Sequence, residues 1–356
     1  MSDWRIYRGA GVPHEGVSEL PGPPPWRDFA GARDPRNGGG GTGDGDGSES
    51  ADAARRLGAQ RRLVENLHPR AEEVEAVNAA LYLRRPLLVT GNPGTGKSTL
   101  AHAVAHELGL GRVLRWPVVS RTTLKDGLYH YDAIGRLQDV QLDRAVAGGS
   151  GTAPAERPPI GSYLRLGPLG TALLPAGPEE GGRAPRPRVL LVDELDKSDI
   201  DLPSDLLNVL EEGEFGIPEL ERLAEREPVT EVLTADGDRV PVRGGRVRCT
   251  VFPFIVLTSN GERDFPAALL RRCIQLELKP PGHEQLAAMV TAHLGEEALA
   301  DGEELVERFL RREPGQVVAT DQLLNALFLT QRASGAERVT RDRLAEMLLR
   351  PLDRPR

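Results

Sequence analysis

The residues best suited to chemistry lie between Gly91 and Thr99, in the run GNPGTGKST. Gly91, four intervening residues and then Gly96-Lys97-Ser98 make the spacing of a phosphate-binding P-loop. Gly91, Gly94 and Gly96 let the backbone curl so that N–H groups point inward at phosphate oxygens, with Asn92, Pro93 and Thr95 completing the loop. Lys97 offers a compact positive charge to β- and γ-phosphates, and Ser98 a hydroxyl to Mg2+. From Thr99 to Leu108 the residues are good helix formers, which sets the phosphates at a helix N-terminus. This chemistry is the binding of a nucleoside triphosphate with Mg2+.

A second group follows in RVLLVDELDKSDI, residues 188–200. Val189 to Val192 form a short apolar strand that ends in Asp193 and Glu194, and ligands gather at the carboxyl ends of strands in open α/β sheets. Asp193 is expected to hold Mg2+, usually through water, and Glu194 to orient and deprotonate an attacking water. Apolar residues before Asp-Glu are common by chance; the place of this pair after a P-loop gives it meaning. Asp196, Lys197 and Asp199 read as helix-start and surface charges, with Lys197 placed to approach a neighbouring subunit. His102 and His106, spaced i, i+4, have a metal-capable geometry but no third ligand or accompanying Glu, and read as an exposed helix face.

Positioning these groups requires an α/β scaffold. Leu87-Leu88-Val89 reads as the strand that delivers the loop, Arg112 to Val119 as a second strand, and Leu124 to Val146 as a charged helical region. Leu202 to Leu210 reads as a helix with Asp201 as cap. Asp236-Gly237, between Val232-Leu233 and Val240 to Val242, signals a hairpin. Phe254 to Leu257 is a buried strand that runs into Thr258-Ser259-Asn260, Pro266 to Arg272 starts a helix, and Cys273 to Leu278 reads as the last strand. Beyond Pro280-Pro281-Gly282 the apolar spacing is helical, through Leu286, Met289, Val290 and Leu294 and on to Leu348.

The chain of 356 residues is long enough for two domains. The net charge of −8 gives no global basic field for nucleic acid or an anionic membrane. The two cysteines, Cys249 and Cys273, lie far apart, which suits a reducing cytoplasm and offers no zinc site. No apolar run approaches membrane-spanning length, and the stretch from Met1 to Gly22 lacks a signal peptide's apolar core. Trp4, Ile6, Tyr7, Trp26 and Phe29 surround a Pro-rich stretch at 21–25, an arm expected to dock on its own domain. Asn37 to Asp52 is a Gly/acid tract that reads as a flexible linker. These features divide the chain into an arm and linker (1–60), an α/β domain (61–279) with Gly/Pro-rich insertions near 148–159 and 175–187, and a helical domain (280–356).

In this order the pieces resemble the AAA+ ATPases and, within them, the MoxR-like group. The resemblance rests on GNPGTGKST at 91–99, GPLGTALLP at 167–175, VLLVDELDKSD at 189–199 and VLTSNGERDFPAALLRRC at 256–273. It implies a three-layer parallel-sheet P-loop NTPase core followed by a small all-α lid. Asn260 falls at the sensor 1 position, a polar side chain that helps position the attacking water. The Arg271-Arg272 pair falls at the arginine-finger position, with Arg272 the better aligned. The resemblance further implies homo-oligomeric rings, usually hexameric, with ATP between neighbouring subunits. It also implies remodelling of a partner protein, often one carrying a von Willebrand A-type domain. Residues 147–170 and 231–250 sit where the group carries a helix-2 insertion and a hairpin before sensor 1. One departure stands out: the segment Ala319 to Leu324 has no basic residue where a sensor 2 arginine is usual, so either another arginine serves, Arg332 being a candidate, or nucleotide sensing by the lid is weakened.

Three classes of function fit these residues: an ATP-driven protein remodeller, a nucleotide-gated scaffold or switch with slow turnover, and an NTPase directed at nucleic acid. The acidic balance opposes the third. Glu194 and Asn260 oppose a pure switch, which needs neither a base nor a water-orienting group.

Overall fold

The computed structural model describes residues 4–27, 69–147, 158–174, 186–311, 318–332 and 338–349. The expected linker at 37–52, Phe29 and most of both Gly/Pro-rich insertions lie outside the described residues.

Five parallel strands form the central sheet: β1 (Leu87–Gly91), β2 (Val113–Pro117), β5 (Val189–Asp193), β10 (Phe254–Ser259) and β11 (Ile274–Leu278). Their spatial order is β11-β1-β10-β5-β2. The strands β5 and β10 are buried along their whole length, as apolar parallel strands covered on both faces must be. Side chains alternate between those faces. Leu87, Val89, Leu191 and Val256 pack with α1 (Ala71–Leu83) and α2 (Lys97–Glu107) on one side. Leu88, Leu190, Val192 and Leu257 join the larger core on the other side, with α6 (Leu202–Glu212). Asp201 precedes α6, but its side chain makes no capping bond.

The helical region expected from Leu124 to Val146 is interrupted. It consists of α3 (Leu124–Leu128), the strand β3 (Tyr129–Tyr131) and α4 (Ala133–Ala147). Two long-range contacts override local helix preference. The backbone at Gly127 lies against the Trp116 ring, where a Cβ would stand 2.5 Å from it, and Tyr129 pairs with Leu166 of β4 (Leu164–Leu166). After α5 (Pro168–Ala172) the chain enters β5. A second sheet combines β3 and β4 with β7 (Val229–Leu233), β8 (Arg239–Arg243), β9 (Arg246–Arg248) and β6 (Glu214–Gly216), in the order β3-β4-β7-β8-β9-β6; the short α7 (Pro218–Glu221) follows β6. The expected hairpin is β7–β8, its turn closed by Thr234 Oγ1, which donates to the Asp238 carbonyl and accepts from its N–H.

After α8 (Ala267–Leu270) and β11 come α9 (His283–Leu294), α10 (Glu296–Leu310), α11 (Thr320–Arg332) and α12 (Arg338–Leu348). Their apolar stripes meet in a separate core around Leu286, Val290, Val306, Phe309 and Leu323. No helix among the described residues is long and apolar enough to cross a membrane.

The N-terminal arm lies on the α1–α2 face of the main sheet. Ile6 and Tyr7 are buried there, and Asn78 of α1 accepts both their N–H groups, at 2.7 and 3.0 Å, while donating to the Tyr7 carbonyl at 2.7 Å. The arm docks on its own core, but Trp26 stays exposed, and the half-exposed Trp4 meets the edge of the Tyr82 ring and accepts the Tyr82 hydroxyl at its carbonyl.

Candidate nucleotide site

The P-loop joins the carboxyl end of β1, which lies between β11 and β10 in the main sheet, to α2. Its turn needs positive φ at Gly94 (+78°) and at Gly96 (+87°), the N-cap of α2. Gly94 also has no room for a side chain, because a Cβ would lie 2.6 Å from the Thr320 backbone nitrogen at the start of α11. The loop thus abuts the lid helix directly. Lys97 Nζ donates to the carbonyls of Gly91 (2.7 Å) and Asn92 (2.8 Å), and Thr95 Oγ1 donates to the Asn92 carbonyl at 2.9 Å. Burial pulls the Lys97 ammonium below the usual lysine range, against the opposing charges of Asp196, Asp193 and Glu194.

Asp193 closes the site from β5. Its Oδ1 accepts from Ser98 Oγ and from Thr258 Oγ1, both at 2.8 Å, and its Oδ2 accepts from Arg115 Nη2 at 2.6 Å and Nε at 3.2 Å. Burial alone would raise this carboxyl; the hydrogen bonds from Arg115, Ser98 and Thr258 outweigh it and hold the group below the usual aspartate range. Glu194, the next residue, adopts the left-handed conformation (φ 62°, ψ 49°), a strained geometry for a non-glycine. Its N–H donates to Thr258 Oγ1 at 2.9 Å, which carries β10 into the same network, and its side chain pairs with Lys197 Nζ at 2.9 Å.

The structure therefore gathers Pro93, Gly94, Gly96, Lys97, Ser98, Thr99, Asp193, Glu194 and Asn260 around one cleft of ≈ 510 Å3. Gly91 and Asn92 hold the lysine from behind. An adjoining cavity of ≈ 670 Å3 lies between Thr95, Arg70 and Glu73 before and within α1, and Gln285 and Met289 of α9. Arg272 does not line the cleft; it pairs with Glu211 of α6 and donates from Nη1 to the Ala268 carbonyl at 3.2 Å. Arg271 is exposed. The lid contributes Met289, His293, Thr320, Asp321 and Leu324 to the cleft wall, and among the described residues no lid lysine or arginine. Arg332 lies at the far end of α11, stacked on Phe328 at 5.4 Å, so its candidacy for the cleft fails.

Several sequence expectations need correction. Asp196 is no surface charge: it is 3 % exposed, and its Oδ2 accepts the N–H groups of Asn260 (2.9 Å) and Glu262 (3.1 Å). Its Oδ1 is buried with no hydrogen-bond partner among the described residues. Lys197 and Asp199 are exposed, as a surface reading expects, and Lys197 pairs with Glu194. His102 and His106 are half-buried, not on an exposed face, and burial lowers the His102 pKa, helped by the nearby Arg115. Sequence reasoning gave Thr258 and Arg115 no role in the site. The only signal for Arg115 is a charged residue breaking the apolar run of β2, and nothing local marks its reach to Asp193.

The family described as AAA domain (dynein-related subfamily) matches residues 86–273, more than half of the chain and the whole span from β1 to the start of β11. No curated protein matches the chain. The AAA match and the geometry agree on an α/β P-loop core with a helical C-terminal region, a nucleotide-binding architecture that implies ATP-dependent activity. The chain belongs to the AAA domain family, in its dynein-related subfamily.

Proposed function

We propose that this protein hydrolyses ATP and couples the reaction to remodelling or assembly of a partner protein, as a MoxR-like member of the family acting in a homo-oligomeric, hexameric ring. In this reading residues 61–279 form the nucleotide-binding unit and 280–356 its lid, and the partner is a protein of the kind that carries a von Willebrand A-type domain. One observation carries the proposal: a carboxylate base, Glu194, and a polar side chain, Asn260, line the same cleft as Lys97 and the Ser98–Asp193 pair. A site that only bound nucleotide would need the last three alone.

Each residue has a task in this reading. Lys97 exchanges the carbonyls of Gly91 and Asn92 for the phosphates. Ser98 and Asp193 supply adjacent hard oxygens, 2.8 Å apart, a donor set that fits Mg2+. When bound, Mg2+ would neutralise charge on the β- and γ-phosphate oxygens. Glu194 accepts the proton of the attacking water. Asn260 orients that water, and Asp196 fixes the Asn260 backbone. The cavity beside Thr95 is open to the base and ribose. Arg272, outside its own cleft, completes the site of a neighbour.

A switch with slow turnover has one observation in its favour, since Lys197 engages the carboxylate of Glu194. Both groups are well exposed, however, so the pair is worth at most about 1 kcal/mol and yields readily. The Glu194→Gln variant tests the reading. It keeps shape and polarity but cannot accept the proton. Nucleotide affinity should stay near wild type while turnover falls by about two to four orders of magnitude. Normal hydrolysis by this variant would place the base elsewhere.

A further inference from the structure

We propose that Arg115 is a further functional residue of this site, a built-in cation that competes with the nucleotide-bound divalent ion for Asp193. The proposal rests on the Mg2+-ATP reading above.

Asp193 has no oxygen without a donor. Ser98 and Thr258 share Oδ1, and Arg115 holds Oδ2 through both Nη2 and Nε. Of these partners Arg115 is the only charged one. Its side chain is 61 % exposed, whereas that of Asp193 is 9 % exposed. Arg115 is therefore the partner most easily displaced, and the one whose charge a metal ion would duplicate.

The position of Arg115 follows from the strand. On the edge strand β2, Leu114 and Trp116 point into the larger core, while Val113 and Arg115 lie on the α2 side. Arg115 stands opposite Leu191, two residues before Asp193 in the neighbouring strand, so its long side chain runs up the sheet to the carboxylate. Nothing in the packing requires an arginine there, since most of the side chain is in solvent. An arginine stays protonated at any pH the protein meets, so its charge leaves Asp193 only when the side chain moves.

The two consequences have opposite signs. Without a divalent ion, the guanidinium offsets the Asp193 charge that faces the phosphates and so supports nucleotide binding. With a divalent ion, it is a competitor that must be moved. Removing Arg115 should weaken metal-free binding and strengthen the metal's hold.

The test uses the full chain, as wild type, Arg115→Ala and Arg115→Gln, with a fluorescent ATP analogue. Nucleotide affinity is measured in excess EDTA, and the Mg2+ concentration for half-maximal binding is measured at a fixed nucleotide concentration. Both variants should bind about three- to fivefold more weakly in EDTA and need about three- to fivefold less Mg2+, the scale of one partly screened charge pair. Glutamine keeps a polar amide, shorter than the guanidinium, but carries no charge, so agreement of the two variants assigns the effect to loss of the cation. A merely structural arginine would shift both measurements towards weaker binding, and that result, or no shift in either, overturns the proposal. If wild type binds no nucleotide under either condition, the site reading fails first and this inference falls with it.

Discussion

Two buried carboxylates, one by each end of α2, differ in the kind of partner they have. Glu107 sits in the last turn, where the helix dipole disfavours an acid. It is fully buried, and backbone supports it: the N–H groups of Arg8 (2.6 Å), Gly9 (3.1 Å) and Gly11 (3.0 Å) all donate to it. His14 adds Nε2 at 3.4 Å; its Nδ1 accepts from the Gly16 N–H, so the ring proton lies on the Nε2 side. Asp193, beside the first turn, is held by two hydroxyls and a guanidinium. Backbone donors cannot leave without unfolding the arm, whereas side-chain donors can rotate away. Glu107 is therefore a staple that fixes the arm, and Asp193 is arranged for exchange.

The contrast can be broken from either end. The largest effect on nucleotide affinity is expected for Lys97→Ala. Among the described residues its ammonium bonds only its own loop's carbonyls, so the fold should survive, while nucleotide affinity falls about a hundredfold, the worth of about two charge-assisted hydrogen bonds. Isothermal titration with ATP reads this directly, and affinity near wild type would remove the lysine from the phosphate site. Glu107→Ala should do the reverse. It strands the arm's N–H donors and costs about 2–4 kcal/mol of stability in denaturant melts. ATP affinity should barely change. A variant that kept full stability would show that the arm's contact with Glu107 is incidental.

The same contrast explains what could be read from the sequence. The loop at 91–99 and the acids after Val192 announce themselves because a strand, a tight turn and a helix follow one another within a few residues. The strands β1, β5 and β10 were legible for a similar reason, as unbroken apolar runs bounded by polar ends. What escaped depends on distant pairings. Arg115 meets a residue 78 positions away, Asp196 meets Asn260 across 64, and Glu107 meets an arm nearly a hundred residues earlier. Asp196 looked like a surface charge because its neighbours Lys197 and Asp199 are exposed, yet the start of the loop after β10 turns its backbone donors onto it. The strand β3 was hidden in a helical pattern because its partner, β4, lies beyond an insertion.

The central claim is that Arg272 acts on a neighbour's nucleotide. Its place on the surface, outside its own cleft and paired with Glu211, motivates that claim. Removal of a finger acting in trans costs about three to five orders of magnitude in turnover. Arg272→Ala should therefore bind ATP and scarcely hydrolyse it, and Lys97→Ala should be equally inactive. The most direct measurement is the ATPase rate of the two variants mixed, after light scattering has shown that each assembles with ATP present. In mixed rings an Arg272→Ala subunit keeps its P-loop and receives the finger of a Lys97→Ala neighbour, so activity should return and peak at intermediate ratios. Assembled mixtures that stay inactive at every ratio would contradict the account.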